Sequence, residues 1–211
     1  MAELKELYQD VRLRVGDVPL PAVVRAARSR ARMLCRESYA WVVTEDKLSL
    51  RADRQSFELF SVSGGEVLRM EGVDLAGVPL EASSEDQLDA RMPGWRTASG
   101  QPQFYFYEHN EQTVRVVPYP RQDIVRTITA RYSLRPSRTS TILGDAFFDE
   151  YYEILVAGTL AELLGQKASA WFDRAGADMQ ESIYQYGVID ARSRRERNNT
   201  KKTRTTVYGG L

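Results

Sequence analysis

Leu4, Leu7, Val11 and Val15 recur at spacings of three and four, which gives one apolar stripe and predicts a helix at the start of the chain. Gly16 should end it, and the Pro19 and Pro21 pair separates it from a second helix over residues 21–38. The apolar face expected for that helix is Val24, Ala27, Ala31, Leu34 and Cys35, whose small side chains suit close helix–helix approach. From about residue 40 the pattern changes to short alternating runs through Val43, Leu48, Leu50, Phe57 and Leu59, broken by turn residues. Residues 67–73 and 79–82 are weaker strand candidates. Ser84-Glu85-Asp86-Gln87 reads as a capping box that opens a short helix through Leu88 to Met92, which Pro93-Gly94 stops.

Three clearer strands follow at 103–108, 113–117 and 124–134. A His109-Asn110-Glu111 turn should join the first two as an antiparallel hairpin. The third alternates in the manner of a half-buried strand. The middle of the chain therefore reads as a small antiparallel β-domain of local hairpins.

Helical periodicity returns after Pro136. Phe147, Tyr151, Ile154, Leu155, Gly158, Ala161 and Leu164 form one broad face, Gly165 breaks it, and a last helix is expected over 169–195. The core side expected for that helix is Phe172, Ala175, Met179, Ile183, Tyr186 and Ile189. The expected fold class is α+β: a helical bundle of N- and C-terminal helices with the β-domain inserted, and an extended C-terminal arm. The divisions are 1–39 for the N-terminal helices, 40–136 for the β-domain, 137–195 for the C-terminal helices and 196–211 for the arm.

Charge adds two features. Arg25, Arg28, Arg32 and Arg36 sit three or four apart on one flank of the second helix. They read as a solvated or salt-bridged face, or as a subunit-interface stripe meeting acidic neighbours or phosphates. The tail from Arg192 holds seven bases (Arg192, Arg194, Arg195, Arg197, Lys201, Lys202 and Arg204) against one acid, Glu196. With no apolar period there, residues 192–211 read as a mobile arm. The whole chain has 29 Lys and Arg against 29 Asp and Glu, so the tail's +6 (seven minus one) leaves −6 for the residues before it. A neutral total argues against a nucleic-acid binder that works through whole-molecule charge.

With 43% hydrophobic residues, the 211-residue chain can bury a core, and its length suits one domain or two small ones. Cys35 is the single cysteine, so no disulfide can form within the chain, and a reducing compartment suits it. The first residues lack a signal-peptide core, and the most apolar run, 154–161, is too short to span a bilayer. A soluble intracellular product without membrane contact is expected.

Catalytic chemistry is sparse. His109 is the only histidine and lies in a turn, with no second imidazole or thiol to share a metal. Cys35 has arginines nearby but sits on the packed side of its helix. The carboxylates Glu85, Asp86 and Asp89, and Asp145, Asp149, Glu150 and Glu153, fall in first helical turns, where the helix dipole favours acids. Neither Gly64-Gly65 nor Gly209-Gly210 has the Lys and Ser/Thr of a phosphate loop. An enzyme is not expected, nor a cofactor or metal.

One ordered set of residues carries a resemblance. Trp41 follows the N-terminal helices; then come Leu88, Pro93-x-Trp95, Gly100-x-Pro102, Tyr105, Val114-x-Val116, Pro118-x-Pro120, Tyr132 and Pro136. A helix with Phe147-x-x-x-Tyr151, Gly158 and Leu160 comes next. In that order the chain resembles the tailed-bacteriophage adaptor proteins, the head-to-tail connectors also called tubular tail or neck proteins.

The resemblance implies a virion protein of the neck, assembled in the host cytoplasm. It would form a homo-oligomeric ring, usually a dodecamer, beneath the portal protein. Such a ring extends the DNA channel, passes double-stranded DNA without specific binding, and offers a platform to a tail nozzle or other tail proteins. A ring needs heterologous interfaces, and the 21 aromatic residues could anchor them. The arm would then dock on the portal or a neighbouring subunit through its basic residues, with residues 203–208, among them Thr205, Val207 and Tyr208, adding a strand to an exposed edge. Two other readings stay open: a tail-completion or terminator ring, and a nucleic-acid-binding module using the arginine stripe and the tail.

Overall fold

The computed structural model describes residues 1–52, 54–59 and 63–197. Among these, ten strands and five α-helices make an α+β fold. In chain order they are β1 (Ala2–Glu3), α1 (Tyr8–Val15), α2 (Leu20–Ser38), β2 (Val42–Leu50), β3 (Ser56–Glu58), β4 (Gly65–Leu75), β5 (Val78–Pro79) and β6 (Glu81–Ala82). There follow α3 (Glu85–Arg91), β7 (Phe104–Glu108), β8 (Thr113–Val117), β9 (Ile124–Pro136), β10 (Ile142–Leu143), α4 (Asp145–Leu164) and α5 (Arg174–Glu196). The chain divides into two compact units: Met1–Ala40 with the residues from Leu143 onwards, and Trp41–Ile142.

The first unit is helical. Leu4, Leu7 and Val11 are fully buried, and Gly16 ends α1 at a φ of 82°, a left-handed value that glycine adopts without strain. Helix α2 starts with Pro21 in its first turn, where the missing N–H costs nothing. It buries Val23, Ala26, Ala27, Ala31, Leu34 and Cys35. The expected face was therefore one position out at its start, with Val23 inside rather than Val24. Helix α4 is buried without interruption from Leu155 to Ala161, because α1, α2 and α5 all pack on it.

Two glycines set the closeness of α4 and α5. A Cβ on Gly158 of α4 would lie 2.6 Å from the Tyr184 ring of α5, and one on Gly187 of α5 would lie 2.6 Å from Ile154 of α4. Each helix thus receives one large side chain of the other over a glycine. The Tyr184 hydroxyl donates to the Arg30 carbonyl of α2 at 2.8 Å, which ties three helices at one point.

Helix α5 departs most from expectation. Its start is at Arg174 rather than near Ser169, because the Asp173 side chain caps it by accepting from the Gly176 N–H at 3.1 Å. Its buried side is Ala177, Tyr184, Gly187, Val188 and Ala191. The expected core residues Phe172, Ala175, Met179, Ile183, Tyr186 and Ile189 are all exposed instead. Small side chains were needed inward, where α4 comes close, so the bulkier row faces out.

The second unit holds two four-stranded sheets, ordered β2-β9-β4-β5 and β3-β8-β7-β6. Pairing is antiparallel except for the short parallel contact of β6 with β7. The expected β7–β8 hairpin is present, with Phe104 opposite Val117 and Glu108 opposite Thr113. The first sheet is not local, however: β9 lies between β2 and β4, with Val42 opposite Ser133 and Gly65 opposite Pro136. The weak candidate at 67–73 is the interior of β4, which pairs with β9 along most of its length. Helix α3 has its capping box, with the Ser84 hydroxyl accepting from the Gln87 N–H at 3.3 Å and the Ser84 N–H donating to the Gln87 side chain at 3.2 Å.

Candidate functional site

Cys35 is fully buried, and burial pushes its thiol well above the ordinary range, so a thiolate is disfavoured. His109 is exposed beside the Tyr107 ring at 6.0 Å. No group of three metal-ligating side chains occurs among the described residues. Asp89 accepts from the Trp95 indole N–H at 2.8 Å and from Arg96 at 2.5 Å. Arg96, and after it Trp95, hold that carboxyl below the usual range. A surface cleft lined by Arg54, Arg96 and Arg115 gains little free positive charge, because Arg96 also meets Glu85 at 3.2 Å and Arg115 meets Glu108 at 3.0 Å.

The residues of the ordered motif gather in the cores. In the second unit Leu88, Trp95, Phe106 and Val117 form one buried cluster, with Trp95 edge-on to Phe106 at 5.6 Å. The Gly100 N–H donates to the Tyr119 carbonyl at 2.9 Å, and a Cβ there would touch Pro118 at 3.7 Å, so the Gly100-x-Pro102 and Pro118-x-Pro120 segments lie against each other. Pro102, Tyr105, Pro120, Tyr132 and Pro136 are buried, as is Trp41, whose carbonyl accepts from the Leu134 N–H at 2.7 Å. The Tyr132 hydroxyl donates to Glu45. Tyr151 lies in α4, where its backbone departs from helical values, and its ring packs on Phe147 at 5.0 Å.

The arginines of α2 divide by position. Arg25 and Arg36 are exposed, while Arg28 and Arg32 are half-buried. Arg36 meets its neighbour Glu37 at 3.7 Å. The pattern missed Arg30, whose side chain is only 14% exposed. Its Nε reaches Glu162 at 3.2 Å, its Nη1 reaches Glu181 at 2.7 Å, and its guanidinium lies over the Tyr184 ring at 5.1 Å. A signal existed: Arg30 falls four residues from both Ala26 and Leu34, on the buried flank, and Glu162 sits within the apolar face of α4.

The helix expected to end at residue 195 runs to Glu196, so the first bases of the tail are helical rather than part of a mobile arm. Arg192, Arg194 and Arg195 belong to α5, and Arg197 is its C-cap. Arg194 bridges Glu150 of α4 and Asp190, each at 2.7 Å, and Arg192 meets Glu196 at 3.2 Å. Cations suit the negative end of the helix dipole, and this holds them in the helix. The remaining arm residues Lys201, Lys202, Arg204, Thr205, Val207 and Tyr208 lie outside the described residues.

The distinctive side chains of the described residues either build cores or stand on the outer faces of helices. A family model described as SU10 adaptor protein matches residues 2–205. The chain belongs to that family of phage head-to-tail adaptors, a structural family rather than an enzyme family, and is accordingly a virion component that contacts other head or tail proteins. No curated protein matches it. No helix among the described residues is long and apolar enough to cross a membrane.

Proposed function

We propose that the chain forms a ring, a dodecamer by the resemblance, under the portal vertex of a tailed phage. There it extends the DNA channel and receives a tail nozzle or other tail proteins. The observation that supports this, beside the family match, is that the outer faces of the helical unit are unlike one another. Arg25 and Arg36 stand on α2, while α5 shows Met179, Ile183, Tyr186 and Ile189. Unlike faces are what a head-to-tail ring requires.

In this reading the helices act as a bundle that carries the β-domain of residues 40–136 as an insertion. The arm from residue 196 docks on the portal or a neighbouring subunit, and Arg25, Arg28, Arg32 and Arg36 contribute to a subunit interface. The −6 carried before Arg192 keeps the body from holding DNA phosphates during passage. Assembly takes place in the host cytoplasm.

Truncation after Asn198 tests the arm. The truncated chain should fail to co-sediment with portal rings that retain the full chain; equal retention would refute it. Labelling the subunit in intact particles fixes its level. A portal-proximal position supports the adaptor, and a position at the far end of the tail would make it a terminator. Salt-sensitive retardation of free DNA at physiological ionic strength would instead indicate a nucleic-acid-binding module.

A further inference from the structure

Helix α5 is patterned on two opposite sides. Its inner side packs on α2 and α4 through Ala177, Tyr184, Gly187, Val188 and Ala191. On the outer side Ala175, Met179, Ser182, Tyr186, Ile189 and Ser193 follow one another at alternating steps of four and three residues. That is the period of a seam that packs against another helix, and a solvated helix face has no need of it. Met179, Tyr186 and Ile189 are 64%, 76% and 65% exposed, and Ile183 beside them is 45% exposed, so no described residue covers the seam.

Side-chain areas of about 150–250 Å² for large residues put the exposed apolar part of this row at roughly 500 Å². That is more than half of the roughly 800 Å² each partner contributes to a standard interface, and the charged flank of the row adds to it.

We infer that the free chain dimerises through this seam, with α5 of a second copy lying antiparallel along it about a two-fold axis at the middle of the helix. In that register Ala175 lies opposite Ser193 of the second copy, Met179 opposite Ile189, and Ser182 opposite Tyr186. Each tyrosine thus enters the space over a serine, and the two Ile183 side chains meet at the axis. All 23 residues of the helix overlap.

The flank decides the direction. Arg174, Asp178, Arg192 and Glu196 run along one flank of the seam in alternating sign. With a second copy reversed beside it, Arg174 meets Glu196 and Asp178 meets Arg192, and symmetry makes each contact twice. Within one chain Arg174 pairs with Asp178 at 2.9 Å and Arg192 with Glu196 at 3.2 Å, all of them solvent-exposed, so these weak pairs can be shared across the seam. A parallel pair would instead bring Arg192 towards Arg197 and Asp178 towards Ile183.

A two-fold contact closes at two copies and cannot repeat around a ring. The dimer therefore covers the α5 face that the ring reading above leaves for assembly, and it holds the free chain back until the portal exchanges it. This consequence rests on the ring reading; the dimer itself does not.

The test uses the full chain in sedimentation over a concentration series. Wild type should be dimeric, and Ile183→Glu should be monomeric with unchanged circular dichroism; should it melt early, Ile183→Ser replaces it. Asp178→Arg and Arg192→Asp should each weaken the dimer. The two together should restore it, although they set like charges four residues apart within each chain. Ala175→Cys and Ser193→Cys should cross-link when mixed and oxidised, and neither should cross-link with itself; Cys35 is buried and takes no part. Both cysteines in one chain give a dimer locked by oxidation, which should not load onto portal rings until it is reduced.

Wild type that stays monomeric overturns the dimer, as does an Ile183 variant that associates like wild type. So does a double charge variant as weak as its singles, or a cysteine variant that cross-links with itself and not in the mixture. An oxidised dimer that loads like wild type overturns its competition with the ring. If wild type and the reduced variant also fail to load, the adaptor reading falls while the dimer stands.

Discussion

Replacing Gly158 by alanine adds one methyl where α4, α5 and α2 meet. On helix propensity alone the change stabilises by about 0.8–1 kcal/mol. Against that, the new Cβ would lie 2.6 Å and 2.8 Å from two carbons of the Tyr184 ring and 3.1 Å from the Arg30 Cβ. Non-bonded carbons settle at about 3.5–4.0 Å, so the ring would have to retreat by nearly an ångström. It is poorly placed to do so: its hydroxyl is bonded to the Arg30 carbonyl, and the Arg30 guanidinium above it is held by Glu162 and Glu181.

Overpacking of this kind costs about 1–3 kcal/mol. With the propensity gain set against it, the net expectation is a loss of up to about 2 kcal/mol, which lowers the melting temperature by up to about 8 °C for a chain of this size. Urea unfolding followed by helical circular dichroism measures it. The same substitution in a Tyr184→Leu background should cost far less, giving a coupling of about 1–2 kcal/mol in the double-mutant cycle. A Gly158→Ala protein at least as stable as wild type would show that the helices simply move apart, and the reasoning would be wrong.

Two further outcomes follow from the titrating groups. The Tyr152 phenol is pushed up to about 12 by burial and by its 2.6 Å bond to Asp10. Its contribution to stability is therefore complete below about pH 10 and lost as pH rises through the folded value; Tyr152→Phe should remove one late-titrating phenol from the alkaline absorbance curve, and an unchanged number would contradict the assignment. The Asp89 carboxyl is held low by Arg96 and Trp95, so its contribution is present above about pH 4 and lost on further acidification. Asp89→Asn should flatten that acid limb, and Asp89→Ala should destabilise more by leaving the Trp95 N–H without its acceptor; acid titrations followed by tryptophan fluorescence that match wild type for both variants would rule this out.

Local signals in the chain were legible where one cause dominates. The capping box at Ser84, the glycine end of α1 and the β7–β8 turn each depend on a few adjacent residues, and each is found in place. Periodicity failed on α5 because two apolar faces share one helix, and the pattern selects the bulkier. Which face is inner depends on Gly158 and Gly187, whose role appears only when α4 and α5 are side by side. Arg30 was passed over because a charge in an apolar pattern reads as an interruption, and its partners Glu162 and Glu181 are more than 130 residues away. The strand at 67–73 looked weak for a similar reason, since its order comes from pairing with β9 rather than from its own alternation. Of the candidate surfaces, the arginines of α2 were readable by spacing, whereas the exposed apolar row was assigned to the core.

The location of Arg30 has a consequence for the order of events during synthesis. Helix α2 is made early, yet the carboxylates that neutralise Arg30, and helices α4 and α5 that pack on it, belong to the last third of the chain. Until α4 and α5 have left the ribosome, the first forty residues have no core to join. Helices α1, α2, α4 and α5 therefore become one folded unit only at that late moment, and a chain released before α5 would leave Arg30 without Glu181 and the Gly158 surface without Tyr184.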